Sequence, residues 1–275
     1  MACGTQISTP FYTKTLNTSH YGSITEVASN INSNYHAAVV EFQNRGNRYA
    51  QFDVNYTWSH ALDYNQNQST SPSTNNWWDP NGNARANYGN SAYNVPNRFV
   101  GWALLQYPGA HHGWQQYLAD GWHLNPVLQV QNGLPYSAGV SGTITGAYSS
   151  GVTGSGSSGY LLQLGRNTVQ QPTTIDVDVR LQKDVHITER FNLELVAEAF
   201  NLANHLNVTS VNSTAYSIGS CAASGAAEGC KLTYQPFVAG STGFTGQSGF
   251  GAITNADSTF VYSQRQVQLG MKFDF

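Results

Sequence analysis

The sequence predicts an all-β fold, an antiparallel up-and-down meander of about seven long strands. Three observations carry this prediction: apolar and polar residues alternate in segment after segment, aromatic and turn-forming residues are abundant, and long and short links alternate between the segments. The 275 residues are 40% apolar and 12% aromatic but only 10% charged, whereas soluble domains carry about 25% charged residues. A net charge of -3 provides no basic face, so the composition excludes nucleic-acid binding.

Each predicted strand shows one apolar face and one polar face. In the last and clearest strand, alternate positions are apolar: Val267, Leu269, Met271, Phe273 and Phe275. The seven predicted strands are residues 35–42, 51–58, 97–107, 122–131, 175–183, 191–200 and 261–275. Residues 191–204 contain helix formers, but their apolar residues fit a period of 2 better than a period of 3.6.

The links between these strands alternate strictly in length. The links 43–48 and 186–190 are short, and the link 108–120 is intermediate in length. The links 61–95, 132–172 and 204–259 are long. An up-and-down barrel in an outer membrane has short turns at one rim and long loops at the other. The links therefore predict a partial transmembrane β-barrel with its long loops on one rim.

This interpretation divides the chain and assigns its surfaces. Residues 1–34 are predicted to be an N-terminal loop segment, and residues 35–275 to be a partial outer-membrane barrel domain. The apolar side chains of the terminal strand, including Phe275, are predicted to face lipid. The long loops, such as 137–159, are rich in Gly, Ser and Thr, so we expect them to be mobile or loosely packed.

Charged residues lie in mid-strand on the polar faces, at Asp176, Asp178, Arg180, Glu194 and Glu198. In a barrel these side chains line the hydrated interior, where they are predicted to form an ion-paired ladder; in a soluble fold they would face solvent. Aromatic residues gather near the strand ends, as expected of the girdles at the two membrane interfaces. These features favour the outer membrane, with its lipid as a partner, over a soluble all-β carbohydrate-binding module, which remains the alternative.

Residues 165–207 read GRNTVQQPTTIDVDVRLQKDVHITERFNLELVAEAFNLANHLN. This stretch resembles the C-terminal barrel of TonB-dependent receptors of the Oar-like group, with a GRN start, an alternating Asp strand, an ER turn and a final FN-x-x-N-H. Further similar stretches, in the same order, are SNYHAAVVEF, NYTWSHALD, PNRFVGWALLQY, GWHLNPVLQVQNGLP and QVQLGMKFDF.

The resemblance implies an outer-membrane location and a part in substrate uptake. Receptor barrels have about 22 strands, so the chain resembles the C-terminal part of one. The partners that it implies are the remaining N-terminal barrel strands and the plug of the receptor. It implies contact with the TonB energy-coupling system only through those missing parts. Seven strands on their own leave two open edges, so the resemblance also implies an open sheet.

The sequence contains no phosphate-binding loop, metalloprotease or hydrolase motif, and we expect no catalytic residue, cofactor or metal. A secreted glycosidase would need a pair of carboxyl groups in a cleft, and no pair is indicated. His111 and His112 are predicted to lie in a hydrated turn rather than in a metal site. Trp77 and Trp78 are predicted to anchor their loop rather than to stack on a sugar.

Three cysteines are present, at positions 3, 221 and 230. Cys221 and Cys230 bracket a loop of small residues and are candidates for a local disulfide if the compartment is oxidising. Two free thiols are the alternative. Neither cysteine has a His or Cys at metal-ligand spacing.

Overall fold

The structure is a computed structural model that describes residues 6–8, 32–64, 84–142, 159, 162–188, 191–221, 229–238, 248–256 and 264–274. Seven long strands lie in these ranges: β1 (Ser33–Asn44), β2 (Ala50–Asp63), β4 (Asn97–Gln106), β5 (Trp122–Gln131), β9 (Thr174–His186), β10 (Asn192–Phe200) and β15 (Gln266–Asp274). Short strands lie between them: β3 (Gly89–Asn90), β6 (Pro135–Tyr136), β7 (Gly139–Ser141), β8 (Val169–Gln170), β11 (Val208–Val211), β12 (Thr214–Cys221), β13 (Cys230–Tyr234) and β14 (Ile253–Ala256). One short helix, α1 (Gln115–Ala119), and 3-10 turns at Ala84–Asn87 and Leu162–Leu164 complete the described elements.

The seven long strands form one antiparallel sheet in the order β1-β2-β4-β5-β9-β10-β15, with β3 paired to the end of β2. This confirms the predicted meander, because consecutive long strands are neighbours throughout. Residues 192–200 are a strand, which removes the helical alternative for this segment. The shortest long strands have 9 residues and the longest has 14, enough to cross a bilayer at a tilt, which needs about 9–11 residues.

The strand boundaries differ from the predicted ones mainly at the ends. β1, β2 and β9 each extend beyond the predicted residues at both ends, because ladder pairing continues where the alternation fades. The last strand begins at Gln266 rather than at 261. Phe275, predicted to face lipid, lies outside the described residues.

The register places apolar side chains on one face of the sheet. Directly paired residues in a ladder project from the same face. One row crosses five strands through four successive pairs: Leu105, Leu124, Leu181, Ala197 and Leu269. We call this side the apolar face.

The apolar face stands open to its surroundings. Leu269 is 81% exposed and Met271 is 74% exposed, and Val267 and Phe273 are exposed as well. The described part of the chain therefore places no protein core over the terminal strand. That these side chains face lipid stays a prediction, and their exposure is what the prediction requires.

Parts of the long links are packed where the structure describes them, whereas residues 143–158 of the loop 137–159, expected to be mobile or loosely packed, lie outside the described residues. Ser137, Ala138 and Val140 are buried, and β7 pairs in parallel with β12, which pairs in turn with β13. β6 pairs with β8, and β11 with β14. Composition alone did not indicate this packing, because each loop was considered by itself, whereas described segments from different links bury one another.

The small apolar core of the described residues lies in these links and not in the main sheet. Ala138, Ala215 and Phe250 are buried together, and Tyr136 and Leu164 pack against them. None of the described helices has the length and apolar character needed to span a membrane.

Candidate functional site

The polar face of the main sheet carries a network of charged side chains centred on Arg180. A row of register partners joins Asn125, Arg180, Glu198 and Gln268 across four strands. Arg180 Nη2 lies 3.1 Å from Glu194 Oε1, and Arg180 Nη1 lies 3.4 Å from Glu198 Oε1. The Gln268 amide donates to Glu198 Oε2, so the network reaches the edge strand β15.

The network continues toward the short-link end of β9. Gln182 bridges it, because its Oε1 accepts from Arg180 at 3.2 Å and its Nε2 donates to Asp184 at 2.9 Å. His123 Nε2 lies 3.1 Å from the same Asp184 carboxylate. A shallow groove on this face is lined by polar side chains that include Gln51, Gln106, His123, Asn125 and Gln182. The polar face is thus a hydrogen-bonding surface, as the predicted hydrated interior of a barrel requires.

The predicted ladder residues have separate roles. Arg180 pairs across strands with the two glutamates rather than along β9 with Asp178. Asp178 Oδ1 accepts a hydrogen bond of 2.9 Å from the backbone N–H of Asn201, just after β10. Asp178 therefore anchors the start of a long link. The alternation along β9 placed both residues on the polar face but did not distinguish these roles.

A buried arginine joins two of the long links. Arg166 and Asp63 form an ion pair in which the side chains are only 9% and 3% exposed. Arg166 Nε also donates to the carbonyl of Asn87 at 2.8 Å, and its Nη2 to that of Gly89 at 3.3 Å. Arg166 lies in the link between β5 and β9, and its partners lie at the end of β2 and in the link that follows.

Asn167 extends this contact. Its side-chain amide donates to the carbonyl of Asn90 at 2.7 Å, and the Asn90 amide donates to the carbonyl of Asn167 at 3.0 Å. Its backbone N–H donates to Ser137 Oγ at 2.9 Å. The parallel β7–β12 pair adds the third long link. We call the described parts of links 64–96, 132–173 and 201–265 the three-loop assembly.

Asparagines also fasten the third link to β9. Asn207 completes the pairing of Ile175 as a strand would, accepting from its N–H at 2.9 Å and donating to its carbonyl at 3.0 Å. The Asn201 side chain bonds in the same two-way manner to the backbone of His205. Asn167, Asn201 and Asn204 have positive φ angles of 54°, 46° and 49°, a conformation that asparagine adopts more readily than most residues.

We predict that Asn207→Ala lowers the free energy of unfolding by about 1–3 kcal/mol, because it removes a buried side chain and leaves the part-buried N–H and C=O of Ile175 without these partners. Urea unfolding of the chain joined to the barrel strands that complete its sheet, followed by far-UV circular dichroism, measures the change. Asn55→Ala, in mid-strand on the polar face, is the matched control and should stay within about 0.5 kcal/mol of the unchanged chain. Equal effects of the two substitutions would contradict the anchoring role of Asn207.

His111 lies in the link between β4 and β5 and pairs with Asp120. Its Nδ1 is 2.6 Å from Asp120 Oδ1, and its backbone N–H donates to Asp120 Oδ2 at 2.9 Å. The His111 side-chain hydrogen bond lowers the pKa of the Asp120 carboxyl below its ordinary value. Within the described residues, no group of three His, Cys, Asp or Glu side chains is arranged to hold a metal ion.

The structure describes the two candidate disulfide cysteines but not the two loop tryptophans. Cys221 and Cys230 are register partners in the β12–β13 ladder, in the long link after β10, and Cys230 is disulfide-bonded. The pairing of these two cysteines with each other stays a prediction. Trp77 and Trp78 lie outside the described residues.

A comparison with known protein families gives one match. The model of a family described as "Outer membrane beta barrel domain" matches residues 2–161 and 145–268. Together these matches extend over most of the chain. No curated protein and no solved structure matches the chain.

Proposed function

Because the chain belongs to the outer membrane beta barrel domain family and lies in the cell outer membrane, we propose that it supplies C-terminal barrel strands of a TonB-dependent receptor. In this role it contributes one wall of the path by which a substrate enters the cell. The polar face lines that path, and the three-loop assembly covers its outer end. An outer-membrane family does not favour the alternative of a soluble carbohydrate-binding module.

The open sheet is the observation that carries this proposal. Within the described residues, β1 pairs on one side only, with β2, and β15 pairs on one side only, with β10. A strand edge in lipid leaves backbone groups without hydrogen bonds, at several kcal/mol for each group. Further strands must therefore complete the wall.

The odd number of strands in the sheet limits how many further strands can complete the barrel and how they pair with its edges. With seven antiparallel strands, β1 and β15 run in the same direction, and bacterial single-chain barrels have an even number of antiparallel strands. The added strands must therefore be odd in number. A second copy of this chain would meet both edges in parallel, whereas the larger part of a receptor barrel meets them antiparallel.

The resemblance to Oar-like receptors supports the finer assignment through particular residues. Arg166 and Asn167 of the GRN motif join two long links, and Asn201 and His205 of the final motif fold the turn after β10. The resembling motifs thus coincide with the anchors of the three-loop assembly. Coupling to TonB belongs to the plug of the complete receptor.

The test is a chimera in which this chain, from β1 onward, replaces the C-terminal strands of an Oar-like TonB-dependent receptor. We expect the chimera to reach the outer membrane and to migrate on gels as a compact band that heating unfolds. The chain alone, given the same signal peptide, should aggregate. A chimera lacking β15 is the matched control and should not assemble.

Two results would overturn the proposal while leaving the family assignment intact. One is a compact, heat-modifiable monomer formed by the chain alone, which would show that it closes its own barrel. The other is a chain-alone preparation and a chimera that both fail to insert, while the parent receptor inserts normally. TonB-dependent uptake by an inserted chimera would extend the support from assembly to transport.

A further inference from the structure

The link between β4 and β5, residues 107–121, meets the apolar side of the sheet through Trp122. Trp122 is paired with Lys183 and lies two residues before Leu124, so its side chain projects from the apolar face. Its indole N–H donates to the carbonyl of Leu118 at 2.9 Å. Helix α1 therefore lies on the apolar side of the short-link rim and not over the polar face.

Helix α1 presents an apolar stripe to its surroundings. Trp114, Tyr117 and Leu118 are spaced i, i+3 and i+4, which places them on one helical face, and the helical backbone conformation already includes Trp114. Trp114 is 71% exposed and Leu118 is 66% exposed. This stripe continues through Trp122 into the exposed apolar face of β5.

The link is held in place by polar contacts at its base. His111 and Asp120 join its two ends, and the backbone N–H of Tyr107 donates to the carbonyl of Trp122 at 2.9 Å. The buried Lys183 ammonium donates to the carbonyls of Asp120 and Asp184 and lies 5.7 Å from the Trp122 ring centre. A Cβ at Gly109 would collide with the Asp120 side chain, so the chain packs closely here.

We infer that this link is a membrane-interface anchor, which seats the stripe of α1 among the lipid headgroups at the short-link rim of the barrel. Trp and Tyr favour this region because their rings are apolar and their tips are polar. The occupant is lipid, because the stripe is continuous with a strand face that the outer membrane surrounds. A helix with an apolar stripe lies in the plane of such an interface.

The test uses tryptophan emission in the chimera described above, reconstituted in phosphatidylcholine vesicles, with the tryptophans of its receptor part replaced by phenylalanine. The sequence has 6 tryptophans. One variant keeps Trp114 together with Trp122, whose indole N–H holds the Leu118 carbonyl, and a second keeps Trp122 alone, the others being replaced by phenylalanine. The difference between the two variants gives the emission of Trp114.

Lipid brominated near the headgroup should quench about half of the Trp114 emission. This quenching should be stronger than that by lipid brominated deep in its acyl chain, because an interfacial helix lies ~5–10 Å into the headgroup boundary. Aqueous iodide should quench the Trp114 emission weakly.

Two matched variants calibrate this measurement. A Trp58-only variant reports the apolar face near the long-link rim, and a Trp102-only variant reports the polar face, where Trp102 is paired with Asp53. We expect brominated lipid to quench Trp58 and to leave Trp102 largely unaffected. The difference in emission between the unchanged chain and Trp114→Phe measures the same site if the multiple replacement prevents folding.

Three outcomes would overturn the inference. If Trp114 is open to iodide while brominated lipid quenches Trp58, the link faces water. If Trp114 is protected from iodide without quenching by lipid, a protein surface and not lipid covers the stripe. If neither Trp58 nor Trp114 responds to brominated lipid, the apolar face itself does not contact the bilayer.

Discussion

Replacing Arg166 with alanine is expected to lower the free energy of unfolding of the three-loop assembly by about 3–5 kcal/mol, because it leaves a buried carboxylate without its counter-charge. Asp63 is 2% exposed, and its Oδ2 has no hydrogen-bond partner in the described structure. The substitution also removes the hydrogen bonds from Arg166 to the carbonyls of Asn87 and Gly89. Faster hydrogen exchange of the β7 and β12 amides, together with faster protease cleavage of the long links, measures the loss.

Arg45→Ala is the matched control, because Arg45 is exposed in the link between β1 and β2. It removes the same charge at the opposite rim and should leave exchange in the assembly unchanged. The double variant Arg166→Met with Asp63→Asn should recover part of the loss, since neither charge then remains buried alone. An Arg166→Ala chain that exchanges as slowly as Arg45→Ala would contradict the role assigned to this ion pair.

Leu269→Arg is expected to reduce membrane insertion strongly, since an arginine on the lipid face at the bilayer midplane costs about 2–4 kcal/mol. Leu269 lies in the middle of β15 at the end of the apolar row. The measurement is the fraction of the chimera carrying this substitution that resists extraction from membranes by alkaline carbonate. At equilibrium, this penalty lowers the ratio of inserted to free chain by about 30-fold to 800-fold.

Gln268→Arg is the control one residue away, on the polar face. Gln268 contacts Glu198, so an arginine at this position meets an acidic partner in a hydrated interior. Its insertion should be close to that of the unchanged chain. If both arginines reduced insertion equally, the two faces of β15 would not differ in environment, and the assignment of Val267, Leu269, Met271 and Phe273 to lipid would be wrong.

The main sheet was predictable because its signal is local. Each long strand alternates along its own length, and the link lengths order the strands without knowledge of distant contacts. The short strands of the long links carry no such signal. β6, β7 and β8 have two or three residues each, too few to show a period, and β7 finds its partner β12 in another link.

The polar face was predictable in position but not in pairing. Alternation placed Arg180, Glu194 and Glu198 on one face, whereas only the register shows which carboxylates Arg180 reaches. The loop anchors could have been sought from a different signal. Asparagine tolerates the left-handed conformation and bonds to nearby backbone, and asparagines recur just after the strand that ends at Phe200.

The parallel pairing of β7 with β12 sets the order in which the molecule folds. The main sheet pairs long strands that follow one another along the chain, whereas Gly139 pairs with Thr214 in another link, and Arg166 pairs with Asp63 across 103 positions. The entropy of closing such long chain segments is small only after the intervening hairpins are in place. We therefore expect the sheet to form first and the contacts between the long links to form last.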